Sequence, residues 1–207
     1  LSRPGGEVVA IARERRRDRT VFVSLAVGSG GGYVSGTTEV LASEVDCCFA
    51  PALLHVFPEV GYFITPRLSL SAAFRLGFAI GANVPGHATV APAGLVRLRY
   101  ALTGTASDPG LQLSGAAGGG IIRHTVKVDE ETPGEDTDTT ASGPFLLGGG
   151  LGYLISLSGP MQLVAEVNAL AAFPGGIKEV GSCPGSGCVR PHFGVELDAN
   201  LGLLVAF

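Results

Sequence analysis

The sequence predicts an all-β protein: a single closed barrel of eight antiparallel strands that crosses a membrane. Three observations predict it. Hydrophobic residues make up 46% of the 207 and charged residues only 15%, against about a quarter charged in a usual soluble domain. Yet no apolar run reaches the roughly 18 residues of a membrane-spanning helix. Apolar residues instead recur at every second position in eight segments, the pattern of strands with two unlike faces. The connections between these segments alternate between short turns and long loops, as they do when antiparallel strands cross a bilayer and return. The 32 glycines show no Gly-X-Y period, which excludes collagen, and the composition is too apolar for a disordered chain.

The predicted strands are Thr20–Gly36, Leu53–Thr65, Leu68–Ile80, Pro92–Thr103, Leu111–Val128, Pro144–Leu157, Met161–Phe173 and Arg190–Phe207. Most reach the roughly 9–11 residues that a tilted transmembrane strand needs. The last has the clearest alternation. Phe193, Val195, Leu197, Ala199, Leu201, Leu203, Val205 and Phe207 form one face, and His192, Glu196, Asp198 and Asn200 the other. In the third, Leu68, Leu70, Ala72, Phe74, Leu76, Phe78 and Ile80 alternate with Ser69, Ser71, Ala73, Arg75, Gly77 and Ala79. A soluble barrel would turn the apolar face inward and the other to water. Here the second face is small or ionisable, which suits a narrow lumen better than broad solvent exposure.

Long connections are expected at 37–52, 81–91, 129–143 and 174–189, and short ones at Pro66-Arg67, around Ser107-Asp108-Pro109-Gly110 and at Ser158-Gly159-Pro160. Four long loops and three short turns place both chain ends on the short-turn side. Cys47 and Cys48 then fall in the first long loop and Cys183 and Cys188 in the fourth. These loops flank the first and last strands, which must pair to close the barrel. Two disulfides are expected, with connectivity open. A zinc site is the competing reading, but the spacing is wrong and no histidine lies near either pair.

Residues 1–19 read as a basic tail or linker and residues 20–207 as the barrel. Six of the 14 basic residues lie in the tail, at Arg3, Arg13, Arg15, Arg16, Arg17 and Arg19. A like-charge block of this kind is normally solvated, and the acidic remainder, net charge −4 overall, speaks against nucleic acid. No secretory signal is present in the sequence, as expected if one was cleaved or if the chain is the C-terminal part of something longer.

Taken together, residues Thr20 to Phe207 resemble the eight-stranded outer-membrane barrels of the OmpA/OmpX type. The terminal Leu203-Leu204-Val205-Ala206-Phe207 is similar to that family's assembly signal, with Phe207 as the aromatic terminal residue. The chain departs from the family in lacking tryptophan and in its high glycine content. The resemblance implies a bacterial outer-membrane location with a periplasmic tail. It also implies contact with outer-membrane lipids and lipopolysaccharide, and insertion by the barrel-assembly machinery.

Strand parity assigns facing. Val60, Tyr62, Val96, Leu98, Tyr100, Leu151, Tyr153, Val167 and Leu197 should face outward. Tyr62, Tyr100, Tyr153 and Phe207 should form one aromatic belt, and Tyr33, Phe78, Phe145, Phe173 and Phe193 the other. Glu59, Arg75, Arg97, Arg99, Glu166, Glu196 and Asp198 should face inward. An eight-stranded lumen is just wide enough to be filled by side chains, so these charges should pair rather than stand alone, forming a plug rather than an ion pathway. The glycine runs at 28–32, 118–120 and 148–150 complete neither a P-loop nor a dinucleotide fingerprint. They are expected to permit bending and leave room for the inward arginines.

A hydrolase would need serine, histidine and acid on one face. Of His55, His87, His124 and His192, the second and third are expected near external loops, and the other two in the inward polar network. No such spacing stands out, so no enzyme activity and no cofactor are expected. The acidic loop carries Asp129, Glu130, Glu131, Glu135, Asp136 and Asp138. Solvation is the default reading, with divalent-cation binding the alternative. The expected function is non-catalytic: anchoring the chain and presenting disulfide-braced loops for surface interaction, adhesion or envelope assembly with an envelope or surface partner. A narrow channel or transporter component is the second reading and a lipid-modifying enzyme the third.

Overall fold

Alternation along the strands becomes a wall with an apolar outside and a polar, small-residue inside. The computed structural model describes residues 20–39, 43–79, 90–127, 137–175 and 191–207. Ten strands follow in order: β1 Val21–Thr37, β2 Glu44–Phe63, β3 Leu68–Phe78, β4 Val90–Ala101, β5 Gly110–Gly120, β6 Ile122–Lys127, β7 Thr137–Ser142, β8 Phe145–Ser158, β9 Met161–Phe173 and β10 Gly194–Ala206. Eight of them close an antiparallel barrel in the order β1-β10-β9-β8-β5-β4-β3-β2, while β6 and β7 form a separate hairpin. The seam is continuous, from Phe22 opposite Ala206 to Val34 opposite Gly194, so the barrel itself has no open edge.

The outward set agrees with parity: Val60, Tyr62, Val96, Leu98, Tyr100, Leu151, Tyr153, Val167 and Leu197 are all exposed. In water such a surface would be an aggregation liability, whereas in a bilayer it is the face that lipid requires. Tyr62, Tyr100, Tyr153 and Phe207 ring the turn end. At the loop end Phe145 pairs in register with Phe173, whose ring lies 5.7 Å from that of Phe193, and Tyr33 is exposed beside them.

The structure corrects the sequence reading in four places. β2 begins at Glu44 rather than at Leu53, so Cys47 and Cys48 lie within its backbone run. The register moves from Gly28 opposite His55 to Gly30 opposite Ala52, so three residues of β2 face two of β1. Such a bulge lets Leu53 and Leu54 both face outward, which interrupts the alternation from which the strand was read. The fifth barrel strand stops at Gly120, and the following residues leave the wall as β6. Residues 137–142, expected in a solvated loop, form β7, with Asp138 to Ser142 buried.

The fourth correction lies at the turn end. The connection between β4 and β5 spans 102–109 and tucks under the lumen, burying Ala106 and Ser107. Gln112 donates to the Ala106 carbonyl at 3.1 Å and Gln162 to the Ser107 carbonyl at 2.7 Å, while the Ala106 amide donates to Pro66 O at 2.7 Å. The barrel therefore carries a strap at one mouth and a hairpin at the other.

Candidate functional site

The lumen is built from inward-facing positions at matched heights on neighbouring strands, and it is layered. Nearest the turn end lies an apolar floor of Phe22, Leu154, Val164, Leu204 and Ala206. Two residues further along β1 and β2, Ser24 and Glu59 face each other in register, and Ser71 stands opposite Arg97 on β3 and β4. This is the first ionic layer. Arg97 places Nη1 3.0 Å from Glu59 and Nη2 3.0 Å from Glu166. Arg99 pairs closely with Glu59 and lies 3.6 Å from Glu166. Two guanidiniums thus bridge the same two carboxylates, and the layer is neutral by charge count.

Neutral side chains add further bonds to this layer, in which the buried Arg99 Nε is left without a partner. Ser71 and Ser24 both donate to Glu59, and Asn168 donates to Glu166 at 3.1 Å. The Phe57 ring lies 5.1 Å from the Arg97 guanidinium, and the Phe22 ring 5.7 Å from that of Arg99. Stacking of this kind suits the flat, weakly hydrated arginine head group.

Above an apolar layer that includes Ala26, Phe57, Ala73, Leu95 and Leu170 lies the second ionic layer. Arg75 donates from Nη2 to Glu196 at 2.5 Å and from Nε to Asp198 at 3.1 Å. Its Nη2 also lies 3.3 Å from His55 Nδ1, while His55 Nε2 lies 2.6 Å from Asn200 Oδ1. A guanidinium can only donate, so His55 accepts at Nδ1 and carries its proton on Nε2. His55, Glu196 and Asp198 offer ligand atoms within 4.8 Å of one another, a spacing that could hold a metal ion. Arg75 stands among them with a hydrogen bond to each, so the place a cation would take is filled by the protein's own guanidinium.

All seven charged residues predicted to face the lumen are buried, and they sort into these two layers. Ser24, Ser71, Asn168 and Asn200 complete them; their inward parity was readable, but nothing in the sequence marked them as partners. The glycines make room, though not chiefly for arginines. A Cβ at Gly28 would collide with Asn200 and His55, and one at Gly30 with Asp198.

Other expected sites fare differently. His124 is fully buried on the inner side of the hairpin, not at an exposed surface. The reason is that β6 folds back over the mouth instead of continuing the wall. His192 lies at the barrel rim, where its Nε2 is 3.3 Å from the Thr37 amide, rather than in the lumen network. Asp138 is buried in β7 and its carboxylate accepts from the Thr139 amide at 2.6 Å, so it is no part of a solvated acidic loop. Asp129, Glu130, Glu131, Glu135, Asp136, His87, Cys183 and Cys188 lie outside the described residues, as do the side chains of Cys47 and Cys48. Phe207 is exposed at the turn end.

Solved structures resemble the chain at low sequence identity. Neisserial surface protein A is 13% identical, with 90% of this chain and 97% of that one covered at a TM-score of 0.50. Ail, the attachment invasion locus protein of Yersinia pestis, is 10% identical over 91% and 99% of the two chains, with a TM-score of 0.43. The N-terminal barrel domain of Pseudomonas aeruginosa OprF is 12% identical over 89% and 97%, with a TM-score of 0.38. The first of these shows the fold: the chain has the architecture of a small outer-membrane β-barrel. Neither a protein-family model nor a curated protein matches the chain.

The first ionic layer makes a stability prediction. Glu59→Gln leaves two buried guanidiniums sharing one carboxylate and is expected to cost about 3–5 kcal/mol in urea unfolding from lipid vesicles. Adding Arg99→Met should recover part of that loss. A change below about 1 kcal/mol, as for exposed pairs, would show that water screens the layer.

Proposed function

We propose that the chain is a non-catalytic outer-membrane barrel whose lumen is closed, serving as a membrane anchor that presents its loop end at the cell surface. One observation carries the reading. The lumen is filled at successive levels by the 102–109 strap, the Arg97–Arg99 layer, the Arg75 layer and the β6–β7 hairpin. A conducting pore of eight strands would need a continuous water file past two layers of buried, paired guanidiniums and carboxylates, and opening one would strand buried charge.

The loop end is the functional surface in this reading. There β1 and β2 extend past the aromatic belt as far as Thr37 and Glu44, which pair in register. They and the hairpin form a structured platform for adhesion, surface interaction or envelope assembly. Cys47 and Cys48 on β2, with Cys183 and Cys188 before β10, would brace that platform through two disulfides. Alkylation of the unfolded, unreduced chain should then modify none of the four thiols, and modification of all four would remove the brace.

At the turn end the Thr20 amide donates to Phe207 O at 2.6 Å, so the basic segment 1–19 leaves from the side where Phe207 would be read by the assembly machinery. That side is the periplasm in this orientation, and the arginine-rich segment is a solvated linker there. The alternative, a narrow channel, is separated by single-channel recording in planar bilayers. The closed barrel predicts no stable conductance steps at neutral pH, and a reproducible open level would overturn it.

A further inference from the structure

The β6–β7 hairpin is joined to the barrel wall through two glycines. Gly120 has φ of +149° and Gly143 φ of +139°, a region that residues with a Cβ rarely adopt. A Cβ at Gly120 would run into Ala93 and Pro92, and one at Gly143 into the carbonyl of Gly120. The wall strands β5 and β8 end at this pair, and the hairpin turns from it across the mouth.

The two faces of β6 are held in unlike ways. On its outer side Arg123 donates from Nε to Glu39 at 2.8 Å and from Nη1 to the Val90 carbonyl at 2.8 Å. The Glu39 amide donates to Thr139 O at 2.8 Å, and His192 exchanges backbone bonds with Ala141 and Gly143 at 2.9 and 3.1 Å. On its inner side Ile122 joins the lumen's apolar layer and Val126 packs with Val34 and Ala50. Between them lies His124, fully buried, with neither ring nitrogen partnered.

The groups around it make no hydrogen bond to it, and Glu196 Oε2 on β10 and Ser142 Oγ on β7 are likewise buried without a partner. From β3 and β10 it feels Arg75 and Asp198, which with Glu196 are already joined to one another. His55 on β2 uses both nitrogens, and Asp138 on β7 lies two register positions away, opposite Val126. β1 and β4 turn only Gly30, Gly32, Val34, Ala91 and Ala93 toward the lumen at this end. Seated, the hairpin holds a neutral imidazole over a guanidinium; a charged one there would be both desolvated and repelled.

We propose that the β6–β7 hairpin is an acid-released cap: protonation of His124 unseats it about Gly120 and Gly143, exposing the Ile122–Val126 face and the upper lumen to solvent. The Arg97–Arg99 layer below stays shut, so the closed-barrel reading stands or falls separately. Burial, with Arg75 adding to it, lowers the His124 pKa from 6.5 to about 4. A pKa lowered in the seated state means that seating is fully favoured above pH 6.5. It weakens about tenfold per pH unit as pH falls from there toward 4.

Hydrogen exchange of the full chain in lipid vesicles between pH 4.5 and 7.5, corrected for intrinsic rates, tests this. Protection in 122–127 and 137–142 is expected to fall about tenfold per unit below pH 6.5, while that of β4 and β10 holds. His124→Leu should abolish the dependence. His192→Gln and Glu39→Gln, which alter two rim contacts of the hairpin, should retain it. Protection independent of pH, or an acid loss that persists in His124→Leu, would overturn the proposal. Should that variant fail to fold, the His124 ring titration by NMR decides: a midpoint near 6.5 with the hairpin still protected overturns it, and a depressed midpoint supports it. Bilayer currents recorded at pH 5 speak to the other reading alone, because conductance steps would overturn the closed barrel whether or not the cap opens.

Discussion

The pairing of Arg75, Arg97 and Arg99 with four carboxylates, all buried in a narrow lumen, is the constraint on which the rest of the structure depends. An eight-stranded wall that turns its apolar residues to lipid has to turn something else inward, and the lumen is too narrow to solvate isolated charges. Arginine resolves this because its rigid fork reaches two carboxylates at once. Arg97 spans Glu59 and Glu166, and Arg75 spans Glu196 and Asp198. Each pair of carboxylates comes from different strands or different heights, so the guanidiniums also tie opposite parts of the wall together.

Other features follow from that filling. Glycines collect on the inward face of β1 because His55, Asn200 and Asp198 occupy the volume their side chains would need. Phe22 and Phe57 sit beside the guanidiniums because apolar faces must separate the ionic layers from each other and from the turn end. The 102–109 strap and the β6–β7 hairpin then close the ends. Function on this account moves out of the lumen to the loop-end surface, where the buried, unpartnered imidazole of His124 makes the cap sensitive to acid.

The barrel itself was legible in the sequence because its signal is local. Strict alternation in β3 and β10 gives strand, length and facing together, and parity alone placed Glu59, Arg75, Arg97, Arg99, Glu166, Glu196 and Asp198 inside. Which guanidinium meets which carboxylate was not legible, since that depends on register between strands up to 123 residues apart, as in Arg75 with Asp198. Local irregularity hid the rest. The bulge near Leu53 broke the alternation and cut β2 short. The sequence from Leu111 to Val128 stays compatible with a strand throughout, while the change of direction at Gly120 is a matter of backbone conformation. The buried state of residues 137–142 was masked by their polar composition, which reads as a loop until β6 supplies a partner.

The measurement that bears most directly on the central claim is the arginine side-chain nitrogen-15 spectrum of the protein in micelles at neutral pH, assigned with Arg75→Lys, Arg97→Lys and Arg99→Lys. Paired in a dry lumen, these three guanidiniums should give resolved signals with slow proton exchange and hindered rotation, set apart from the averaged signals of the tail arginines. If all arginines instead exchange rapidly and average alike, the lumen is hydrated, its charges are not fixed, and the account of a closed, ion-paired barrel is wrong.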